Sequence, residues 1–173
     1  MKITIRDVLS LNFLHRRETL IISGSINSDT NALARALGMK AEREGVSVMT
    51  VNAGTLDEEL EGQKGGLSAA RLIAVAKPKL LIIEDLGSKR IAPLEAKVLA
   101  QIVTERVNRA STVFTSPYPL YAWANRLGSS REIKSLFNIL SANAGQIVIG
   151  TKGHSVKKTK PAPAENRCRL VAK

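Results

Sequence analysis

Cysteine occurs once in the 173 residues, at Cys168, and histidine twice, at His15 and His154. A lone thiol cannot close a disulfide within the chain, and three such scattered residues do not provide the paired spacing of a tetrahedral metal site. No metal centre is expected, and a reducing compartment suits the composition. Aromatic residues make up only 3% of the chain, so its interior has to be built from Leu, Ile, Val and Ala. That scarcity also argues against a stacking platform for single-stranded bases. Apolar runs of about 18 residues are missing, which excludes a membrane-spanning helix. The first residues lack the succession of charged, apolar and small residues that marks a secretory signal. These absences predict a cytoplasmic protein with no membrane partner.

What is abundant is positive charge. Lys and Arg number 26 against 15 Asp and Glu, a net charge of +11. Residues 1–150 hold 19 bases and 14 acids, whereas residues 151–173 hold 7 bases and 1 acid, so the last 23 residues carry more than half the surplus. That segment includes Pro161 and Pro163 and lacks apolar periodicity, which predicts a flexible basic tail after a core over residues 1–150. Within it Lys157, Lys158, Lys160, Arg167 and Arg169 are candidate phosphate contacts, which favour affinity for nucleic acid over sequence readout. A solubilising tail is the plainer alternative.

Apolar segments and helix-forming segments alternate along the core. Leu20–Ser23 reads as a strand entering a Gly/Ser/Asn loop, and residues 32–44 as a helix stopped by Gly45. Val46–Val51 reads as a second strand, followed by helical stretches over Asp57–Glu61 and Leu67–Val75 separated by Gly65-Gly66. After Lys77-Pro78, the uninterrupted run Leu80-Leu81-Ile82-Ile83 is that of a central strand buried on both faces. Pro93 opens a helix over Leu94–Arg109 that places Leu94, Val98, Ile102 and Val107 near one face. Thr112–Thr115 forms another strand, Arg131–Ser141 a last helix and Gln146–Ile149 a last strand. Helical crossovers between strands call for parallel pairing, so the predicted architecture is a three-layer α/β sheet. Trp123, with Tyr118 and Tyr121, is expected to pack a short helix onto that sheet rather than to form a stacking patch.

Two stretches carry a family resemblance: Leu80-Leu81-Ile82-Ile83-Glu84-Asp85-Leu86-Gly87 and Ser111-Thr112-Val113-Phe114-Thr115-Ser116, separated by a helix ending Thr104-Glu105-Arg106-Val107-Asn108-Arg109. Together they resemble the IstB/DnaC group of AAA+ proteins, which assist transposases or load replicative helicases. The likeness extends over residues 5–155. It implies a P-loop NTPase core of the AAA+ type, here without a separate lid domain, and a family that uses ATP and magnesium.

A phosphate-binding loop has the pattern G-x-x-x-x-G-K-[ST]: glycines let backbone N–H groups surround the phosphates, lysine neutralises charge, and the hydroxyl holds magnesium. The matching residues are Gly24, Ser25, Ile26, Asn27, Ser28, Asp29, Thr30 and Asn31. Asp29 stands in place of the second glycine, Thr30 in place of the lysine and Asn31 in place of the hydroxyl residue. A carboxylate against the phosphates would cost about 1–4 kcal/mol even when screened. Asp29 is instead expected to cap the following helix, its side chain satisfying the free N–H groups there.

The resemblance places Glu84 at the position of a magnesium-coordinating acid and Asp85 at that of a second acid that orients water. With no lysine or hydroxyl to accompany them, both are expected to be remnants without catalysis. Pro117 replaces a polar sensor, usually asparagine, and Ile139 an arginine that reaches a neighbour's nucleotide. No cofactor is expected to bind, and hydrolysis is not expected. The resemblance implies partners: DNA, a transposase or replicative helicase, or AAA+ paralogues in an oligomer. Three functions follow. One is a DNA-associated accessory protein for transposition or replication with a degenerate nucleotide site. The second is an active helper or loader in which Lys89 or Arg90 replaces the missing lysine. The third is a regulatory subunit in rings of an intact paralogue.

Overall fold

Five short segments pair into one sheet. They are β1 (Thr19–Gly24), β2 (Val48–Asn52), β3 (Leu80–Glu84), β4 (Ser111–Ser116) and β5 (Ala144–Ile149). Their order is β2-β3-β4-β1-β5, and every pair is parallel. The structure is a computed structural model that describes residues 5–25, 29–56, 58 and 69–149. The expectations for Ile26, Asn27 and Ser28, for most of the stretch Asp57–Glu61 and the start of Leu67–Val75, and for Lys157, Lys158, Lys160, Arg167 and Arg169 concern residues outside those described.

Successive strand residues face opposite sides of the sheet. Ile21, Leu81, Ile83 and Phe114 therefore join one buried cluster, and Leu20, Ile22, Leu80, Ile82 and Val113 join the other. The first cluster is covered by α4 (Ala69–Ala76), α5 (Pro93–Arg106), α6 (Trp123–Leu127) and α7 (Arg131–Asn143). The second is covered by α1 (Ile5–Leu9), α2 (Asn12–His15) and α3 (Thr30–Arg43). This is the three-layer parallel arrangement that the alternating sequence pattern predicts. Among the described residues, no helix is long and apolar enough to cross a membrane.

Local chemistry sets the element ends. Gly45, at φ +77°, stops α3 as expected. Its N–H donates to the Glu42 carbonyl and the Val46 N–H to that of Ala41, a pair of bonds that satisfies carbonyls left over at the helix end. Trp123 is buried against Phe114 with ring centroids 6.3 Å apart, and its indole N–H donates to Ser116 Oγ and the Tyr118 carbonyl. It is a packing residue.

Three expectations need correction. Helix α5 ends at Arg106 rather than Arg109, because Val107 leaves helical geometry at φ −53° and ψ 126°. Leu94 is 56% exposed, since it sits in the first turn beyond the sheet's cover; the buried face comes from Ala96, Val98, Leu99, Ile102 and Val103. β3 is an inner strand, fully buried as predicted, but β4 holds the middle position.

Candidate functional site

Parallel α/β sheets gather functional groups where their strands end. Here the ends of β2, β3 and β4 meet the first turns of α3. Asn52 is the last residue of β2, Glu84 the last of β3, and Thr115 lies one residue before the end of β4. Asn31 and Arg35 are one helical turn apart on α3, so both reach toward these strand ends.

Glu84 is 3% exposed and receives a two-pronged contact from Arg35, Nε to Oε1 at 2.7 Å and Nη2 to Oε2 at 2.7 Å. The planar guanidinium matches the carboxylate in this parallel geometry. The Glu84 carboxylate in turn raises the pKa of Arg35 above its ordinary value, first through the hydrogen bond and then through charge attraction.

Asp85 follows in a left-handed conformation, φ 61°, which Asp adopts more readily than most residues. Its N–H donates to Thr115 Oγ1 at 3.0 Å. Its carboxylate accepts from Asn31 Nδ2 at 2.9 Å on one oxygen and from Asn52 Nδ2 at 3.0 Å on the other. Thr115 Oγ1 donates to Asn31 Oδ1, which closes a ring of three side chains and one backbone N–H. Asn52 Oδ1 accepts from the Gly54 N–H at 2.7 Å. Ends of three strands and one helix are thereby tied together by fully engaged polar groups.

Beside this ring lies a cleft of about 390 Å³, lined among others by Asp29, Thr30, Asn31, Asp85, Ser88 and Pro117. None of its described lining side chains is cationic, and two are acids. Asp29 holds the N-cap position of α3, as the sequence suggested, but its side chain makes no capping hydrogen bond. It is exposed, so its carboxylate stays at the cleft. Gly24 ends β1 and Ser25 lines the cleft. Lys89, a candidate replacement for the missing lysine, donates its ammonium to the Gly54 carbonyl. Ile139 is part-buried against the core.

Magnesium takes carboxylate, hydroxyl and phosphate oxygens in a near-octahedral shell. The donor set fits poorly. Glu84 has both oxygens on Arg35, Asp85 has both on amides, and Asn31 brings an amide engaged on both its oxygen and its nitrogen. Among the described residues no group of three or more His, Cys, Asp or Glu is placed to hold a metal ion.

The sequence singled out Asn31, Glu84 and Asp85 but missed Arg35, Asn52 and Thr115 as their partners. Arg35 had a signal: a long cation four residues after Asn31, on the face of the helix that leaves the loop.

The family described as IstB-like ATP binding protein matches residues 2–163. A protein of insertion sequence IS5376 from Geobacillus stearothermophilus, named as ATP-binding, is 28% identical over 155 residues, covering 88% of this chain and 61% of its own length. An insertion-sequence protein of Sinorhizobium fredii, likewise named as ATP-binding, is 30% identical over 164 residues, covering 94% of this chain and 65% of its own. The chain thus spans somewhat under two thirds of either relative. In three dimensions it is similar to the DnaC helicase loader, with a TM-score of 0.66 at 22% identity over 83% of this chain and 88% of that one. At that identity the likeness shows the fold: a P-loop NTPase core of the AAA+ type, with no separate lid among the described residues.

Proposed function

Since the chain belongs to the family of IstB-like ATP binding proteins, we propose that it is an insertion-sequence accessory subunit whose nucleotide cleft neither grips ATP–magnesium tightly nor hydrolyses it. The observation that carries this reading is the state of the two acids at the end of β3. Glu84 is taken by Arg35, and Asp85 by Asn31 and Asn52, beside a cleft whose described lining offers acids and no cation. Phosphoryl transfer is mostly positioning and charge stabilisation, and here both are directed inward. The protein acts through its surface: the AAA+ core meets a transposase, a helicase or paralogous subunits, and the basic residues 151–173 meet DNA in the cytoplasm.

Titration with labelled ATP and magnesium, followed by turnover measurement, tests the first half. No saturation at micromolar ATP is expected. The triple variant Asp29→Gly/Thr30→Lys/Asn31→Thr, which rebuilds the loop pattern, should bind more tightly than the parent. Micromolar binding with turnover by the parent would defeat the reading. For the second half, DNA affinity should fall steeply with salt, and Lys157→Ala/Lys158→Ala/Lys160→Ala should flatten that slope by about three released counterions. A slope unchanged by the triple substitution would remove the tail from the interface.

A further inference from the structure

Arg35 has a property that the loss of nucleotide contacts does not require. A degenerate site needs no internal cation; its acids would only have to face water. Glu84, however, ends a fully buried strand, and its side chain is only 4% exposed. A carboxylate so placed must be neutralised or paired. The Arg35 side chain that pairs it is itself 64% exposed as a whole, reaching in from the helix surface by its forked end.

Helix α3 delivers two groups in one register. Asn31 sets its amide on Asp85, and one turn later Arg35 sets its charge on Glu84. The neutral donor meets the acid that already has a second amide, from Asn52, and the charged donor meets the acid with the greater burial. Hydroxyl and metal are thus replaced together by side chains of one helix, at the two strand-end acids where the fold would otherwise place them.

We infer that Arg35 is a built-in counter-ion that stands in for a divalent cation at Glu84, so that the end of β3 is fixed without metal. This rests on the proposed loss of ATP–magnesium binding, but it makes a separate claim about the metal alone. Arg35 is a positioning residue: it sets Glu84 and, through the β3 turn, the Asp85–Thr115 contact. Removing it should leave a buried carboxylate in search of a cation, beside a second one already held in place.

The test uses the full chain and Mn²⁺ without nucleotide, read by the loss of the free-ion paramagnetic resonance signal, with thermal unfolding in parallel at constant ionic strength. The parent is expected to leave the signal unchanged at equimolar to low millimolar metal and to show no thermal shift with Mn²⁺. Arg35→Met should unfold several degrees lower, recover part of that loss in Mn²⁺, and bind the ion at least about tenfold more tightly than the parent. Arg35→Met/Glu84→Gln should lose the metal response, because the neutral amide needs no cation. Arg35→Lys keeps the charge and should remain metal-indifferent. If Arg35→Met does not fold, the parent and Arg35→Lys still decide: Mn²⁺ binding or stabilisation in either overturns the inference. So does an Arg35→Met protein that neither loses stability nor gains metal affinity. Micromolar ATP–magnesium binding with turnover by a parent that takes up no Mn²⁺ without nucleotide would instead defeat the functional reading and leave the counter-ion intact.

Discussion

At the N-terminal end of the sheet, Arg106 is 1% exposed and donates to the carbonyls of Ala76, Pro78 and Ser111 and to the hydroxyl of Thr112. Close by, Arg16 forks onto Glu18, at 2.6 and 3.1 Å, just before β1. At the C-terminal end, Arg35 forks onto Glu84 just as β3 finishes. Both ends therefore hold guanidinium groups in fixed geometry against strand termini. The N-terminal end of such a sheet is where structural ties belong, and the C-terminal end is where ligands are bound. The end that should wait for a ligand is built like the end that carries structural ties. Polar side chains there satisfy one another, which is the physical content of the proposal that the nucleotide site has become a structural joint.

The strongest way to break this parallel is at Arg106. Among the described residues it meets no carboxylate, and burial pushes its pKa down to about 10. Its charge is tolerated because three carbonyl oxygens from two segments, 76–78 and the start of β4, surround it. Arg106→Leu strands those acceptors in the interior and should cost about 3–5 kcal/mol, read by urea unfolding. Arg106→Lys should fall between, since a single ammonium cannot span the same four acceptors. A loss under about 1 kcal/mol for the leucine variant would mean that the N-terminal end is not held by this residue, and the comparison would lose its reference.

A smaller effect should appear at Asn31, which gives the C-terminal end its closed ring. Asn31→Leu removes a donor from Asp85 and an acceptor from Thr115 and should cost about 1–3 kcal/mol by the same unfolding measurement. Asn31→Thr restores the hydroxyl of the phosphate-loop pattern but cannot bond both partners in the same way, so it should also destabilise. If that variant proves as stable as the parent, the ring contributes little and the end of the sheet is open in the manner of a ligand site.

The two ends were unequally legible in the sequence. The uninterrupted apolar run Leu80–Ile83 marked β3, and shorter apolar cores, Leu20–Ile22 and Val113–Phe114, marked β1 and β4, because burial on both faces favours apolar side chains. Trp123 and Gly45 were legible for equally local reasons: a large ring beside a strand, and a residue that tolerates positive φ. Asn31 was found by its place in the phosphate-loop pattern, and Glu84 and Asp85 through the family resemblance. Their partners were not, since Arg35 and Glu84 are 49 residues apart and Asn31 and Thr115 are 84 apart. A pairing of that separation exists only once the strands are ordered. Arg106 was hidden for a further reason: on sequence it reads as one more cation near a helix end. Asp29 was misjudged in detail, because position alone predicts a cap and the side chain's direction decides whether one is made.

The smallest effect is at an acid of the C-terminal end that is only part-buried and so sets a baseline for Glu84. Glu132 sits in the first turn of α7, directly after the Ser130 cap, whose hydroxyl accepts from the Ile133 N–H. Its pKa is lowered, chiefly by its own backbone N–H and then by Ser130, against a desolvation cost that exceeds the attraction added by either Arg131 or Lys97. A depressed carboxylate pKa means that the unfolded chain binds the proton more readily. The stabilisation is therefore present above the ordinary glutamate value and is lost as pH falls through the lower, folded value. Glu132→Gln should be slightly less stable than the parent at pH about 7 and should converge with it in acid, in paired unfolding curves. Salt should shrink the difference, because the group is partly open to solvent and so screened. If Glu132→Gln instead destabilised the protein as much as Asn31→Leu at neutral pH, burial would not be what separates the acids of this end, and the special standing of Glu84 would fall with it.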